Sequence, residues 1–360
     1  MRRAFAIVPL LALALALRAQ APSPPSDQED FRLRVAVELV TTPLVVRDAS
    51  GEFVYDLSRQ EISLRDNGVP QQLVAFELAS QPLSLVLLLD TSKRVEPLLE
   101  HVRKSGVLFT DYIMGQFGEA AVITFDRDVT LHQEFTSNAE EVIQAVKTIR
   151  TRGDETRLND ALDQAVRLLR QRPEGRRRVI IAVTEPRDHG SSTPTGLPLR
   201  YAQLADISVY TISLSRTMAD LARRPEDTPV PASPYPPGVF PGPAVPGSIQ
   251  TPTTETQQRQ SRANLLNAIM FLVQGIKGTV RANLLEVYAQ GTGGLHYGAH
   301  TQAGLEAALN RIGQDLHSQY LVSYRPSNRD RAGFHRIEIS VSRPGVRIRT
   351  RPGYYISPPL

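Results

Sequence analysis

Residues 83–92 read Leu83-Ser84-Leu85-Val86-Leu87-Leu88-Leu89-Asp90-Thr91-Ser92, and this stretch decides the fold. The run is apolar from Leu83 to Leu89 apart from Ser84, which is strand-sized and far too short to cross a bilayer. Its lack of alternation suits a strand covered on both faces, as in a parallel sheet packed between helices. A carboxylate and a hydroxyl follow at once. In open α/β sheets the carboxyl ends of the strands are where ligands bind, so the run points to both a fold and a site.

Working outward, the same rhythm continues. Val95, Leu98, Leu99, Val102, Gly106, Phe109 and Ile113 recur at helical spacing, and residues 120–125 and 129–134 read as strands. Leu158, Leu162, Ala165, Val166 and Leu169 predict a second amphipathic helix. Residues 179–183 and 207–212 are further buried strands, and helices are expected over 264–271, up to Tyr288, and over 304–317. Strands alternating with helices predict an α/β class, a doubly wound and mostly parallel sheet, over residues 81–317. Within it, residues 225–260 are dense in Pro, Gly, Thr and Gln and are expected to form a disordered, extended insertion.

The flanks read as β. In residues 33–80, Asp66-Asn67-Gly68 between apolar runs is a hairpin signal, because Asn and Gly tolerate positive φ. In residues 318–360, Ile337, Ile339 and Val341 alternate with Arg336, Glu338 and Ser340. Strands on both sides of the α/β block are expected to pair into a small β-sandwich that carries the block as an insertion.

The first residues have the form of a signal peptide over 1–21. Arg2 and Arg3 precede an apolar stretch, and Ala19-Gln20-Ala21 offers a cleavage site, followed by a linker over 22–32. The expected location is secreted or periplasmic, with no membrane span after cleavage. The chain of 360 residues has no cysteine, which excludes disulfides, thiolate metal sites and a cysteine-linked lipid anchor. Its 41% hydrophobic content leaves a core to provide stability. Three of the four net positive charges leave with Arg2, Arg3 and Arg18, so global charge gives no argument for nucleic acid.

Three polar segments follow buried strands or precede a helix: Asp90-Thr91-Ser92, Gly153-Asp154-Glu155-Thr156 and Val183-Thr184-Glu185. In a parallel sheet they converge on one crevice, with oxygen ligands suited to Mg²⁺ or Mn²⁺. At this point the sequence resembles the von Willebrand factor type A fold, and more narrowly an acidobacterial family related to it. The resemblance spans nearly all of the chain after the leader. It rests on the strand ending at Asp90 and on residues 285–294 leading through Thr292-Gly293-Gly294. Ser318-Gln319-Tyr320-Leu321, Tyr324-Arg325-Pro326 and Arg351-Pro352-Gly353-Tyr354-Tyr355 also carry it.

The resemblance implies a metal-ion-dependent adhesion site built from Asp-x-Ser-x-Ser, a distant Thr and a distant Asp. Asp90 and Ser92 match its first two positions and Thr156 the Thr. Arg94 stands at the third hydroxyl position and Glu185 replaces the Asp, in Thr-Glu-Pro where the family shows Thr-Asp-Gly. Arginine has no lone pair to offer a cation. Two readings follow. Either Asp90, Ser92, Thr156 and Glu185 hold a weak Mg²⁺ or Mn²⁺ with Arg94 turned to solvent, or the site is degenerate and an internal Arg94–carboxylate pair takes the ion's place. The second is preferred, with no resident cofactor.

Other features carry less. Arg343, Arg347, Arg349 and Arg351 share parity and are expected to be a solvated face or a charged edge, ahead of an anion-binding patch. Residues 291–294 lack the Lys of a phosphate loop and read as a helix end and turn. Asp126 and Asp128 are expected in a turn for backbone reasons. No G-x-S-x-G elbow and no paired zinc-type histidine spacing is present. The function expected is therefore non-enzymatic: an exported module that binds a protein or cell-envelope ligand at the crevice. A metal-assisted hydrolase and a cell-envelope scaffold are the alternatives.

Overall fold

The structure, a computed structural model, describes residues 39–214, 267–270, 283–328 and 331–356. The leader, the linker, the Pro-rich segment 225–260 and half of the helix expected over 264–271 lie outside the described residues, and 267–270 are helical. The described residues all fall within one compact unit.

The chain begins with β1 (Val40–Arg47), β2 (Ile62–Asp66), β3 (Val69–Gln71) and β4 (Leu73–Leu78). The β2–β3 hairpin turns through Asn67 and Gly68, both at positive φ (49° and 79°), which is the geometry the Asn-Gly pair predicts. Next come β5 (Leu83–Asp90) and α1 (Glu96–Lys104). The seven-residue apolar period implies one helix through Ile113, but the helix breaks. Ser105 turns its hydroxyl back on the His101 carbonyl (2.8 Å), and a single turn, Gly106–Leu108, leads into a π-helical turn, Phe109–Met114. The pitch changes while the buried face is kept.

The block continues with β6 (Glu119–Phe125), β7 (Val129–Thr136), α2 (Ala139–Thr148), α3 (Leu158–Arg170) and β8 (Arg177–Thr184). It closes with α4 (Leu197–Leu204), β9 (Ile207–Ser213), α5 (Leu284–Gly291), β10 (His296–Gly298) and α6 (Gln302–His317). The central sheet has the order β10-β9-β8-β5-β6-β7, parallel except for the edge pair β6–β7. Every residue of β5 is buried. Leu85, Leu87 and Leu89 face a core with α1, α2 and α6, while Val86 and Leu88 face a second core with α3, α4 and α5. The unbroken apolar run is thus explained by two covered faces. After β5 the chain builds to one side through β6 and β7, then returns to build β8, β9 and β10 on the other. The topological switch therefore falls beside β5, at Asp90.

The remaining strands are β11 (Tyr320–Tyr324), β12 (Gly333–Val341), β13 (Arg347–Thr350) and β14 (Gly353–Ile356). They join the leading strands in two four-stranded sheets, β13-β1-β11-β4 and β14-β12-β2-β3, which share one core around Leu44, Leu64, Tyr320, Tyr324 and Ile337. The expected pairing of the two flanks is present, and the α/β block is inserted between β4 and β11.

The C-terminal arginines correct the sequence reading. β13, which bears Arg347 and Arg349, is an edge strand, as the charged-edge reading has it, but neither a solvated face nor an anion patch describes the four together. Arg343 pairs with Glu61 (2.8 Å) and Asp56, Arg349 with buried Asp315, and Arg351, only 2% exposed, with Asp206 (2.9 Å) and the Gln203 carbonyl (3.0 Å). Only Arg347 of the four is exposed and without an ion pair among the described residues. The carboxylates that bind the others lie far away in sequence, which is why local parity suggested a wet face.

Candidate functional site: the strand-end rim

Three loops meet at the carboxyl end of the parallel sheet, and hydrogen bonds join them to one another. Asp90 ends β5 and is buried. One of its oxygens accepts from the Thr184 hydroxyl at the end of β8 (2.6 Å) and the other from the Ser92 amide (2.8 Å). The Asp90 loop is tied to the loop before α3, since Arg152 N donates to Thr91 O (3.1 Å) and Lys93 N to Gly153 O (2.9 Å). That loop is tied in turn to the segment after β8. Thr156 and His189 exchange backbone hydrogen bonds of 3.1 and 2.8 Å. Asp188 accepts from the Ser191 hydroxyl (2.6 Å) and the Asn159 amide (3.0 Å).

A fourth loop, after β6, supports the rim from below. Asp126 is buried and accepts from the Thr91 hydroxyl (2.8 Å) and from its own turn through Asp128 N (3.1 Å). The backbone role expected for Asp126 is correct, but its grip on Thr91 was not foreseen. Gly153 packs against this turn so closely that a Cβ would come within 3.0 Å of the Asp126 carboxylate. Thr91, Gly153 and Thr184 stand in the three segments that the sequence picked out, and Asp126 in its turn, but none was given a part in joining the loops. For Thr91 and Thr184 a hydroxyl next to a strand-end acid was the available signal.

Burial raises the Asp90 carboxyl above its ordinary value, opposed by Thr184, by the backbone and the hydroxyl of Ser92, and by the backbone of Glu185. The Ser92 hydroxyl is buried and lies beside Asp90, although it makes no hydrogen bond of standard geometry among the described residues. Thr156 is buried, Glu185 is half-buried, and Arg94 is exposed. The internal Arg94–carboxylate pair that the sequence suggested is not formed among the described residues. The Asp90 oxygens accept instead from the Ser92 amide and the Thr184 hydroxyl.

Residues 85–187 match the sequence model of the von Willebrand factor type A domain. The chain carries a von Willebrand factor type A-like fold. No curated protein matches it in sequence. Among solved structures it is similar to an aerotolerance-related membrane protein from Bacteroides fragilis NCTC 9343, at 14% identity and a TM-score of 0.41, over 64% of this chain and 98% of that one. A conserved hypothetical protein, BatB, from Bacteroides thetaiotaomicron gives 14%, 0.37, 64% and 99% in the same order. Proximal thread matrix protein 1 from the mussel byssus gives 11%, 0.42, 67% and 48%. The likeness to the type A domain rests on the sequence model over residues 85–187.

In a type A domain this rim is the seat of the adhesion-site cation. The residues here supply part of the donor set. Ser92 presents a buried hydroxyl beside the buried Asp90 carboxylate, and Thr156 is buried on the neighbouring loop. Arg94 supplies none, and the longer Glu185 stands where the type A pattern has Asp. Among the described residues no three His, Asp or Glu side chains cluster as metal ligands. The donor set is incomplete.

Proposed function

We propose that this chain is an exported binding module of the type A class, engaging a protein or cell-envelope ligand at the strand-end rim rather than catalysing a reaction. The observation that carries the reading is the rim itself. Loops after β5, before α3 and after β8 are held together by backbone hydrogen bonds, so the backbone positions that bear their outward side chains are set before any partner arrives. Such preorganisation lowers the entropic cost of association. No helix among the described residues is long and apolar enough to cross a membrane.

The test is capture from a native envelope extract by the immobilised mature protein, with and without a chelator. His189 is exposed and only its backbone serves the fold, so His189→Trp blocks the rim while leaving the Thr156 pairing intact. The expected outcome is the same captured partner in both buffers, weakened about tenfold by the tryptophan. Capture indifferent to the tryptophan would place binding elsewhere. A second reading, a weak Mg²⁺ or Mn²⁺ at Asp90, Ser92, Thr156 and Glu185, is favoured by the buried Ser92 hydroxyl beside Asp90, and chelator-sensitive capture would support it.

A further inference from the structure

A second surface, outside the rim loops, follows the seam where the sandwich meets α6. Beyond β1 the Arg47 guanidinium lies over the Phe53 ring, 3.7 Å from its centre, and the Phe53 and Tyr55 rings are 6.2 Å apart. The Tyr55 hydroxyl shares a hydrogen bond with Ser318 Oγ at the end of α6 (2.7 Å), yet the residue is 53% exposed. No other pair of neighbouring rings among the described residues has an exposed member. Two turns back along α6, Arg311 is exposed, and Tyr297 of β10 is half-buried. Burial and Asp315 raise the Tyr297 hydroxyl, opposed by Arg349, Arg311 and Arg47, which brings the three guanidiniums to its neighbourhood.

The seam thus carries rings and guanidiniums side by side. Arg47 and Arg347 are register partners on β1 and β13, an arrangement that like charges disfavour, and neither has an ion pair among the described residues; nor has Arg311. The acids of the adjoining turn are Glu52 and Asp48, and Asp48 already accepts from the Ser50 hydroxyl (2.6 Å) and the Glu52 amide (3.0 Å). Such a surface suits a ligand with apolar rings and free carbonyls. A polyproline helix is that ligand: it makes no internal hydrogen bond, so its carbonyls take outside donors, and its proline rings dock on aromatic side chains.

The chain itself contains a match. Pro231, Pro234, Pro237, Phe240, Pro243 and Pro246 recur at a spacing of three residues. A polyproline helix has about three residues per turn, so this spacing suits a single face of such a helix. The tether is also close at hand. The chain leaves the described part after Leu214, two residues beyond Ile212, and Ile212 is the register partner of Tyr297. Residues 215–230 could span about 50 Å if extended, so length does not keep Pro231 from the seam. We infer that the seam is a binding site for a polyproline helix and that its occupant is segment 231–246 of the same chain. The inference does not depend on the rim being the binding face.

The chain has no cysteine, so spin labels attach only where cysteines are introduced. The experiment places them in the full mature chain at Glu52→Cys and Ser233→Cys and reads the distance between them by pulsed electron resonance. A narrow distance distribution is expected. Tyr55→Ser with Arg311→Ala, both at exposed positions, is expected to lower the docked-to-free ratio about tenfold. Phe117→Ser with Lys104→Ala removes an exposed ring and an exposed cation elsewhere and is expected to change that ratio less than about twofold. An added peptide of residues 229–248 is expected to displace the segment, whereas a peptide of the same composition with its prolines out of the three-residue spacing is not. A broad distribution in the parent chain, equal effects of the two double variants, or displacement by both peptides would each overturn the inference. A narrow distance that appears only when singly labelled chains are mixed also overturns it, since the occupant would then come from a second copy.

Discussion

Ser92 is the most informative single residue. Its hydroxyl is buried beside Asp90 and helps lower that carboxyl's value, without a hydrogen bond of standard geometry among the described residues. Ser92→Ala is therefore expected to change the stability of the cation-free protein by less than about 1 kcal/mol, read as a shift of the urea midpoint. The same substitution separates the two accounts of the rim. If Mg²⁺ or Mn²⁺ binds, a calorimetric titration of the wild type saturates, Ser92→Ala abolishes it, and Arg94→Ser with Glu185→Asp strengthens it. If no cation binds, the wild-type titration is flat, and the alanine has the same small effect in every buffer.

At the scale of elements, β2 and β12 share a buried polar knot. Asp66 accepts from Tyr354 (2.7 Å), Tyr324 (2.9 Å) and His335 Nδ1 (2.9 Å), while His335 Nε2 donates to the Arg331 carbonyl (2.7 Å). Both imidazole nitrogens face acceptors, which requires the protonated ring. Burial works against that charge, but the bonds to Asp66 and Arg331 outweigh it and raise the His335 value; burial likewise opposes ionised Asp66, whose value is nevertheless lowered by His335, Tyr354 and Tyr324. The sign follows. A raised histidine stabilises the fold fully below its unfolded value of 6.5 and loses that contribution as pH climbs through the folded value. The depressed aspartate contributes above its unfolded value of 3.8 and is lost as pH falls through the folded one. Thermal melts should therefore show a stability plateau in mildly acidic buffer and a decline toward alkaline pH. That alkaline decline should flatten in His335→Gln; an unchanged slope would remove histidine as its source.

Elements of this size were largely legible in the sequence. The apolar run at Leu83 and the Asn67-Gly68 turn are local signals, and local physics produced both. Residues 291–294 were also readable. Gly293 takes φ of +86°, and Gly294 lies so near the Val209 carbonyl that a Cβ would sit 2.0 Å from it, which marks a helix end rather than a phosphate loop. What stayed hidden depends on partners distant in the chain. The break after Lys104 keeps its apolar period, so periodicity alone could not reveal it. Arg94 was assigned a carboxylate that Thr184 and a backbone amide had already satisfied.

At the scale of the whole molecule, the sandwich and the α/β block are joined by ion pairs. Arg349, on β13, pairs with Asp315 of α6, which also accepts from Tyr210 of β9 (2.7 Å). Burial alone would lower the Arg349 value, but Asp315 more than offsets it. Removing one member of such a pair leaves the other buried and uncompensated, so Arg349→Met should cost about 3 kcal/mol in chemical denaturation. Arg349→Met with Asp315→Leu should recover most of that loss, because a well-packed apolar pair can replace a buried ionic one. Failure of the double variant to recover would show that the pair adds stability beyond its own compensation.

The chain passes from the sandwich into the α/β block after β4 and comes back just before β11, and there Ala79 N donates to Gln319 O (2.9 Å). The two crossing points are thus clasped side by side. Tension applied through the flanking strands would be borne by the sandwich ladders and would bypass the block at that clasp. A ligand held on the rim could then keep its grip while the rest of the protein is under mechanical load.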